Sequence, residues 1–414
     1  MPDSKTRVAI VGGGIAGLVT ATLLHRGGIE VRLFEQSPAF GAVGAGIQLS
    51  PNGVRVLHRL GLAHALTAQA VPARAIETLR WDDGTRIARV PHGADCGQRH
   101  GAPYYLMHRA DLQRCLLSVA PLESVGLGLG CTGVTERADG AEVHLTDGSV
   151  VLADLVVGAD GVHSAVRRAV VEDRPRFSGY AVHRGLVPAA LVDTFRDDPR
   201  VLFWLGPRRH VTYYPIESGD TVHFSAVGAT DRAPLAASTD GAVEDLDTAF
   251  AGWHEQVRHV ITSARSVTRW DLYDRDVAPR YATDRVVLLG DAAHPTLPYL
   301  SQGANQALED AAVLARCLTA HHPADWARAL RHYEALRLPR TAEVHRRARA
   351  LGDTFHLSDG PAQSARDRAM GADGDLAHLD WLYGYDAEAA GPRTPGPAPA
   401  APSALAAPGL TPRP

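Results

Sequence analysis

The residues of this sequence that could do chemistry stand where apolar runs end. Glu35 closes 30-EVRLF-34, Asp160 follows 155-LVVGA-159, and Asp291 follows 286-VVLLG-290. A carboxylate at the mouth of a buried strand is costly unless it caps a helix or accepts hydrogen bonds. Three of them suggest acceptors for the hydroxyls of a ligand, with a mere cap as the alternative for Asp291 and a glycine-rich turn without ligand as the alternative beside Glu35. Farther along, 208-RRHVTYYPIESGD-220 reads as a strand with His210, Thr212 and Tyr214 on one face and Val211 and Tyr213 on the other. His210 has the unperturbed pKa range that a general base needs. A structural duty is the other reading for any one of 20 histidines.

The first carboxylate has a companion. In 12-GGGIAG-17, Gly12 allows a tight turn and Gly14 lets backbone N–H groups approach a pyrophosphate. Ala16 lies inside the motif, and Gly17 lets the following helix pack on the strand. Strand, glycine turn, helix, strand and Glu35 stand in register, and a carboxylate there accepts a ribose 2′-OH while disfavouring a 2′-phosphate. The site therefore suits FAD or NAD. Two further acidic strand ends decide between them, because the ribityl chain of FAD runs on beyond the adenosine and needs acceptors. Asp291 is placed to hold ribityl hydroxyls. The helix start at Gly303, Ala304 and Asn305 would face the isoalloxazine with its positive dipole end.

These residues need an α/β scaffold. The opening reads strand (7–11), helix (15–26), strand (30–34), a βαβ unit. Residues 74–90 read as hairpins, a helix starts near Arg109, and alternating strands fill 131–161. A helix start carrying Ser164 and Arg167 follows. Residues 177–270 alternate as in a mostly antiparallel sheet with one buried face. A buried strand at 286–289, a helix to Ala320 and a long helix at 324–351 complete the ordered part. The expected fold is a Rossmann-like FAD-binding domain of the glutathione reductase type with an inserted, mostly antiparallel β substrate domain and C-terminal helices. Its divisions are 1–73, 96–176 and 271–325 for FAD; 74–95 and 177–270 for substrate; 326–386 helical; and 387–414 a disordered Pro/Ala-rich tail.

Composition excludes several classes. A net charge of −4 gives no footprint for nucleic acid or anionic membrane. The apolar stretch 8-VAIVGGGIAGLVTATLL-24 is too short and glycine-rich for a span, and it starts inside the first strand, which leaves no room for a leader. Cys96, Cys115, Cys131 and Cys317 lack CxxC spacing, so no metal site is expected and a reducing cytoplasm is the default location.

In combination, GGGIAG, the Asp160-Gly161 segment and the Gly290-Asp291 segment resemble the single-component, FAD-dependent aromatic hydroxylases, the group A flavoprotein monooxygenases. The likeness runs to about Asp386. The segments 44-GAGIQLSPNGVRVLHRLGL-62, 108-HRADLQRCL-116 and 290-GDAAHPTLPYLSQGANQALEDA-311 resemble the salicylate hydroxylase and 3-hydroxybenzoate 6-hydroxylase branch. The resemblance implies that Arg109 contacts the FAD pyrophosphate, Val134 meets the adenine through its backbone, and Gln48 lies beside the flavin. It associates Asp160 with FAD and with the transient reductant, NADH or NADPH. On the substrate side it implies that His210 assists deprotonation of a substrate hydroxyl, with Tyr214 in the same wall. Pro298 and Tyr299 would meet the substrate. Arg184 in 183-HRGLVP-188 reads as structural in preference to carboxylate-binding.

The implied activity is NAD(P)H- and O2-dependent hydroxylation of an aromatic acid or phenol through a flavin C4a-hydroperoxide. The alternative is epoxidation, oxidative decarboxylation or Baeyer–Villiger-type insertion on a larger secondary metabolite. A third reading is a nucleotide-binding module without turnover. Partners are then a small aromatic substrate and O2, and a homodimer is implied by the resemblance alone. The substrate, the ring position and the choice of NADH or NADPH stay open.

Overall fold

The computed structural model describes residues 6–41, 45–230 and 239–389. β-Branched runs build the centre of a seven-stranded sheet. Thr6–Val11 lies between Val31–Glu35 and Val150–Gly158, all parallel, with Val125–Leu127 parallel beyond Val31–Glu35. Val150–Gly158 is long enough to pair twice on its other side. Its first residues pair antiparallel with Gly140–Leu145, which pairs in turn with Cys131–Arg137. Its last three run parallel to Val286–Leu288. Parallel strands must be covered on both faces, and Val8, Ile10, Leu33, Val156 and Val287 are accordingly buried. The helices Ile15–Arg26 and Gly303–Thr319 pack against one another over this core.

The second sheet has eight strands in the order Thr239–Gly241, Val267–Asp274, Arg176–Pro188, Thr221–Ala229, Arg209–Ile216, Arg200–Gly206, Ala75–Arg80 and Arg86–Pro91. Every pair is antiparallel except Arg200–Gly206 with Ala75–Arg80, because the chain leaves for the first sheet between them. One face packs on Val257, Val260 and Ile261 of the helix Glu255–Thr262. Gly46–Leu49, Tyr105–His108 and Val71–Pro72 form a small third sheet.

Several sequence expectations shift. The long helix runs Trp326–Phe355, past Leu351, and carries His356 at its C-cap. The helix expected after Asp160 is only a 3-10 turn, Val166–Ala169, whose preceding N–H groups on Ala165 and Val166 are taken by the Asp160 carboxylate. The tail expected from Ala387 lies outside the described residues except for 387–389. There Ala387 is buried against the first core and Arg316 donates to the Glu388 carbonyl. Among the described residues no helix is long and apolar enough to cross a membrane, and no His/Cys/Asp/Glu cluster could hold a metal.

Candidate active site

The three acidic motifs converge because they follow the C-terminal ends of adjacent parallel strands. Ala159 N–H donates to Val11 O (2.8 Å), and Leu289 N–H to Gly158 O (3.0 Å). In open α/β sheets this edge is where ligands sit. Arg167 bolts two motifs together: its Nη1 donates to Ala292 O (2.8 Å) and Ala293 O (2.7 Å), and its Nε and Nη2 meet Asp173. Gly12 holds φ +104° and would drive a Cβ into Ala159 O, while a Cβ on Gly17 would strike Gly12 O. Gly14 differs: it caps the first helix and has open space where a side chain would project.

That space is a cavity of about 400 Å³ lined by Gly14, Ala16, Arg109, Asp291, Gly303 and Ala304. It continues to Gln48, His210, Thr212, Tyr214 and Pro298. Through Gly14, Ile15 and Arg109 it joins a second space of about 280 Å³ bounded by Glu35, Phe40 and Gln113. The Glu35 carboxylate meanwhile accepts Gly13 N–H (2.6 Å) and Ser37 N–H (2.8 Å). The continuous length, the bare Gly14 backbone, the Arg109 cation and the carboxylates at Glu35 and Asp291 fit an extended flavin dinucleotide. Asp291 is exposed, but to the cavity and not to the outer surface, and the surrounding protein pushes its carboxyl up against the lowering pull of His294 and Arg109.

Not every expected residue reaches this wall. Val134 pairs with Val143 in the first sheet and borders neither space. The Asp160 carboxylate turns inward, accepting Ser164 Oγ–H (2.5 Å), Ala165 N–H (2.7 Å) and Val166 N–H (3.2 Å), and leaves the wall to Ala159 and Gly161. Burial pushes its carboxyl up despite these donors. Asn305 is buried beneath Gly303 and Ala304. It accepts Ser50 N–H (3.0 Å) and donates to Gln48 O (3.1 Å), so it ties the Gln48 strand to the helix start. Tyr299 lines not this cavity but an adjoining one of about 160 Å³ that shares Gln48, Phe203 and Ser301 with it; its ring packs where a Cβ on Gly352 would stand, edge-on to His210 at 5.6 Å.

The far end of the cavity is lined by the face of the second sheet that Val257 does not cover. Cross-strand register sets two rows: Arg184, Ser225, Thr212 and Phe203 in one, and Val182, Val227 and His210 in the other. His210 Nδ1 lies 2.9 Å from His356 Nε2, and burial, reinforced by His356, holds His210 well below its usual pKa. Burial likewise raises Tyr214, which stays a neutral phenol. The Tyr104 hydroxyl donates to Gln48 Oε1 (2.7 Å) and fixes that amide. Sequence reasoning missed His356, which local spacing could not have linked to His210.

Behind the Gly290-Asp291 turn is a buried ionic network. Asp310 accepts Gly290 N–H (2.8 Å) and meets His294 Nε2 (2.6 Å) and Arg337 Nε (2.7 Å). Burial alone would raise Asp310, but His294 and Arg337 outweigh it and hold it at about 2.

A sheet with a glycine-turn cavity that runs on to the face of a second sheet fits a flavin-dependent monooxygenase. The chain belongs to the FAD-binding-domain family, whose profile matches residues 5–348. A 3-amino-4-hydroxybenzoate 2-monooxygenase of Streptomyces cremeus is 62% identical over 387 residues, covering 94% of this chain and 97% of the relative. A 3-hydroxybenzoate 6-hydroxylase of Klebsiella oxytoca is 33% identical, covering 92% and 96%. A salicylate hydroxylase solved as a substrate complex superposes with a TM-score of 0.78 at 28% identity, covering 93% of this chain and 96% of that one. The chain is thus an aromatic flavin monooxygenase, and FAD is its cofactor.

Proposed function

We propose that this enzyme hydroxylates 3-amino-4-hydroxybenzoate at ring carbon 2, using NADH or NADPH and O2 in the cytoplasm. The observation that carries the reading is the 62% identity to a 3-amino-4-hydroxybenzoate 2-monooxygenase along nearly the whole length of both chains. The four cysteines are unpaired, as a reducing compartment leaves them. On the same reading the first sheet and its helices hold FAD, and the eight-stranded sheet holds substrate.

FAD bound here would, once reduced by NAD(P)H, activate O2, one atom of which goes to the ring and the other to water. The chain's own residues do the rest. Backbone N–H groups at Gly14 and the Arg109 guanidinium hold the pyrophosphate. Asp291 accepts ribityl hydroxyls, and the helix start at Gly303 and Ala304 places a positive dipole end by the ring system. Pro298 and Phe203 exclude water around the substrate.

Ring electronics give His210 its task. C2 is ortho to the 3-amino group and meta to the 4-hydroxyl, so the amine lone pair, more than a phenolate, enriches C2. That lone pair is available only while the amine stays unprotonated. A neutral imidazole, its Nδ1 engaged by His356, offers Nε2 as acceptor to an amine or phenol hydrogen. When C2 takes oxygen, its hydrogen must leave as a proton, and His210 stands ready to take it.

The test is anaerobic flavin reduction and aerobic turnover across hydroxy- and aminobenzoates. The expected outcome is fastest NAD(P)H oxidation with 3-amino-4-hydroxybenzoate and 3-amino-2,4-dihydroxybenzoate by product NMR. Oxygen at another carbon, or a different preferred acid, overturns the assignment.

A further inference from the structure

The substrate wall contains a charge with nothing to neutralise it. Arg184 lies on Arg176–Pro188 with its side chain in the cavity wall. Among the described residues no carboxylate, carbonyl or other oxygen accepts a hydrogen bond from its guanidinium. The titratable groups near enough to act on it are the neutral Tyr214, the imidazole of His223 and a second cation, Arg109. Burial and Arg109 both work against its charge, yet a guanidinium does not give up its proton in a protein. Among the described residues the fully buried arginines are matched: Arg167 and Arg275 have Asp173, Arg269 has Asp271, Arg366 has Asp367, and Arg337 has Glu309 and Asp310. Arg184 is only partly covered, its accessible surface facing the cavity and not bulk water, and a cation held there without a partner is expensive. An arginine left uncompensated in the wall of a ligand cavity points to an anion delivered by the ligand.

We infer that Arg184 binds the carboxylate of the aromatic acid and thereby sets which end of the ring enters first. The sheet register supplies the scale. Arg184 and His210 stand two strands apart and one row apart, with Ser225 and Thr212 between them. Strand spacing and rise put their Cα atoms roughly 12 Å apart. After a long side chain reaches in from one side and an imidazole from the other, the remaining gap matches a benzoate ring. Its carboxylate would sit on the guanidinium fork and its amino and hydroxyl edge on His210. The fork matches a carboxylate in two parallel hydrogen bonds. Ser225 and Thr212 hydroxyls line the path between. The proposal departs from the sequence expectation that Arg184 is structural.

The inference rests on the reading that the substrate is an aromatic acid, and its test separates the two. Ligand binding is followed by perturbation of the flavin spectrum in the FAD-loaded enzyme, with no turnover required. The probes are 3-amino-4-hydroxybenzoate, benzoate, and 2-aminophenol, which keeps the amine and hydroxyl but lacks the carboxylate. In Arg184→Gln the Kd for both acids should rise about 100-fold while that for 2-aminophenol moves less than threefold. Arg184→Lys, which keeps the charge without the fork, should recover part of the loss. Equal weakening of all three ligands, or none, overturns the proposal. So does loss of FAD, or a lowered flavin potential without selective loss of acid binding, because the anion held would then be the reduced flavin. If the wild type fails to hydroxylate 3-amino-4-hydroxybenzoate but Arg184→Gln still loses benzoate selectively, the substrate assignment falls and the role of Arg184 stands.

Discussion

Nδ1 of His210 lies 2.9 Å from Nε2 of His356, and the two rings stack with centroids 5.1 Å apart at 24°. One nitrogen donates and the other accepts; with Nδ1–H of His210 donating to His356 Nε2, His210 keeps its own Nε2 as an acceptor. His356 is itself clamped, stacked on Tyr180 at 4.5 Å. Its position at the end of the Trp326–Phe355 helix links that helix to the cavity-lining face of the second sheet.

Removing His210 should therefore act on chemistry and spare the cofactor. His210→Ala is expected to lower kcat by about 10²- to 10⁴-fold with flavin content unchanged. His356→Leu should shift the pH profile of kcat, and His356→Gln, whose amide oxygen can accept from Nδ1–H, should restore most of it. Steady-state kinetics across pH 5.5–9 in FAD-loaded protein read both effects, and a His210→Ala enzyme within twofold of wild type would remove the base from the mechanism.

Burial holds His356 at about 4, and His210 is lowered in the same direction. Both are neutral in the fold and titrate near 6.5 when unfolded, so below that pH the unfolded chain binds more protons. Their stabilisation is complete above pH 6.5 and is lost as pH falls toward 4, by about 3 kcal/mol for His356 taken alone. Asp310, held at about 2, is lost only in the lower window between about 4 and 2. Urea melts at pH 7, 5.5 and 4.5 should show the first loss, reduced in His356→Gln. A flat profile over that range contradicts it.

Two glycines of one motif should fail in different ways. A side chain on Gly14 projects into open cavity, so Gly14→Val should fold, melt near the wild-type apoprotein, and lose its 450 nm absorbance. A side chain on Gly17 collides with Gly12 O, so Gly17→Val should cost about 1–3 kcal/mol or more in the apoprotein itself. Melting curves beside flavin-to-protein absorbance ratios distinguish them, and a yellow Gly14→Val protein counts against the cofactor placement.

Arg337 is fully buried, with Nε 2.7 Å from Asp310 and Nη1 2.5 Å from Glu309. Arg337→Met leaves both carboxylates without that partner and should destabilise by about 3–5 kcal/mol in denaturant titrations. Adding Asp310→Asn should return part of this, because one of the stranded charges goes with it. Asp310 also holds Gly290 N–H, so FAD should bind more weakly in both variants.

Periodicity and motif spacing made much of the scaffold readable. The βαβ opening, the glycine turn and the alternation that puts His210, Thr212 and Tyr214 on one face follow from local sterics and the two-residue repeat of a strand, and the structure keeps them. Side-chain direction at the ends of elements was less readable. Asp160 and Asp291 look alike in sequence, each an acid after a buried strand. One spends its oxygens on Ser164, Ala165 and Val166, and the other opens into the cavity beside Gly303.

By itself the sequence determined where the strands end, which turns need glycine and which strand face carries ionisable groups, because these depend on neighbours only a few residues away. The tertiary structure alone decided which charges are neutralised. It gave Arg337 two carboxylates and His210 a second imidazole, and it left Arg184 without an anion. Compensation of a buried charge is a property of the space around it, and that space is filled by residues far away along the chain.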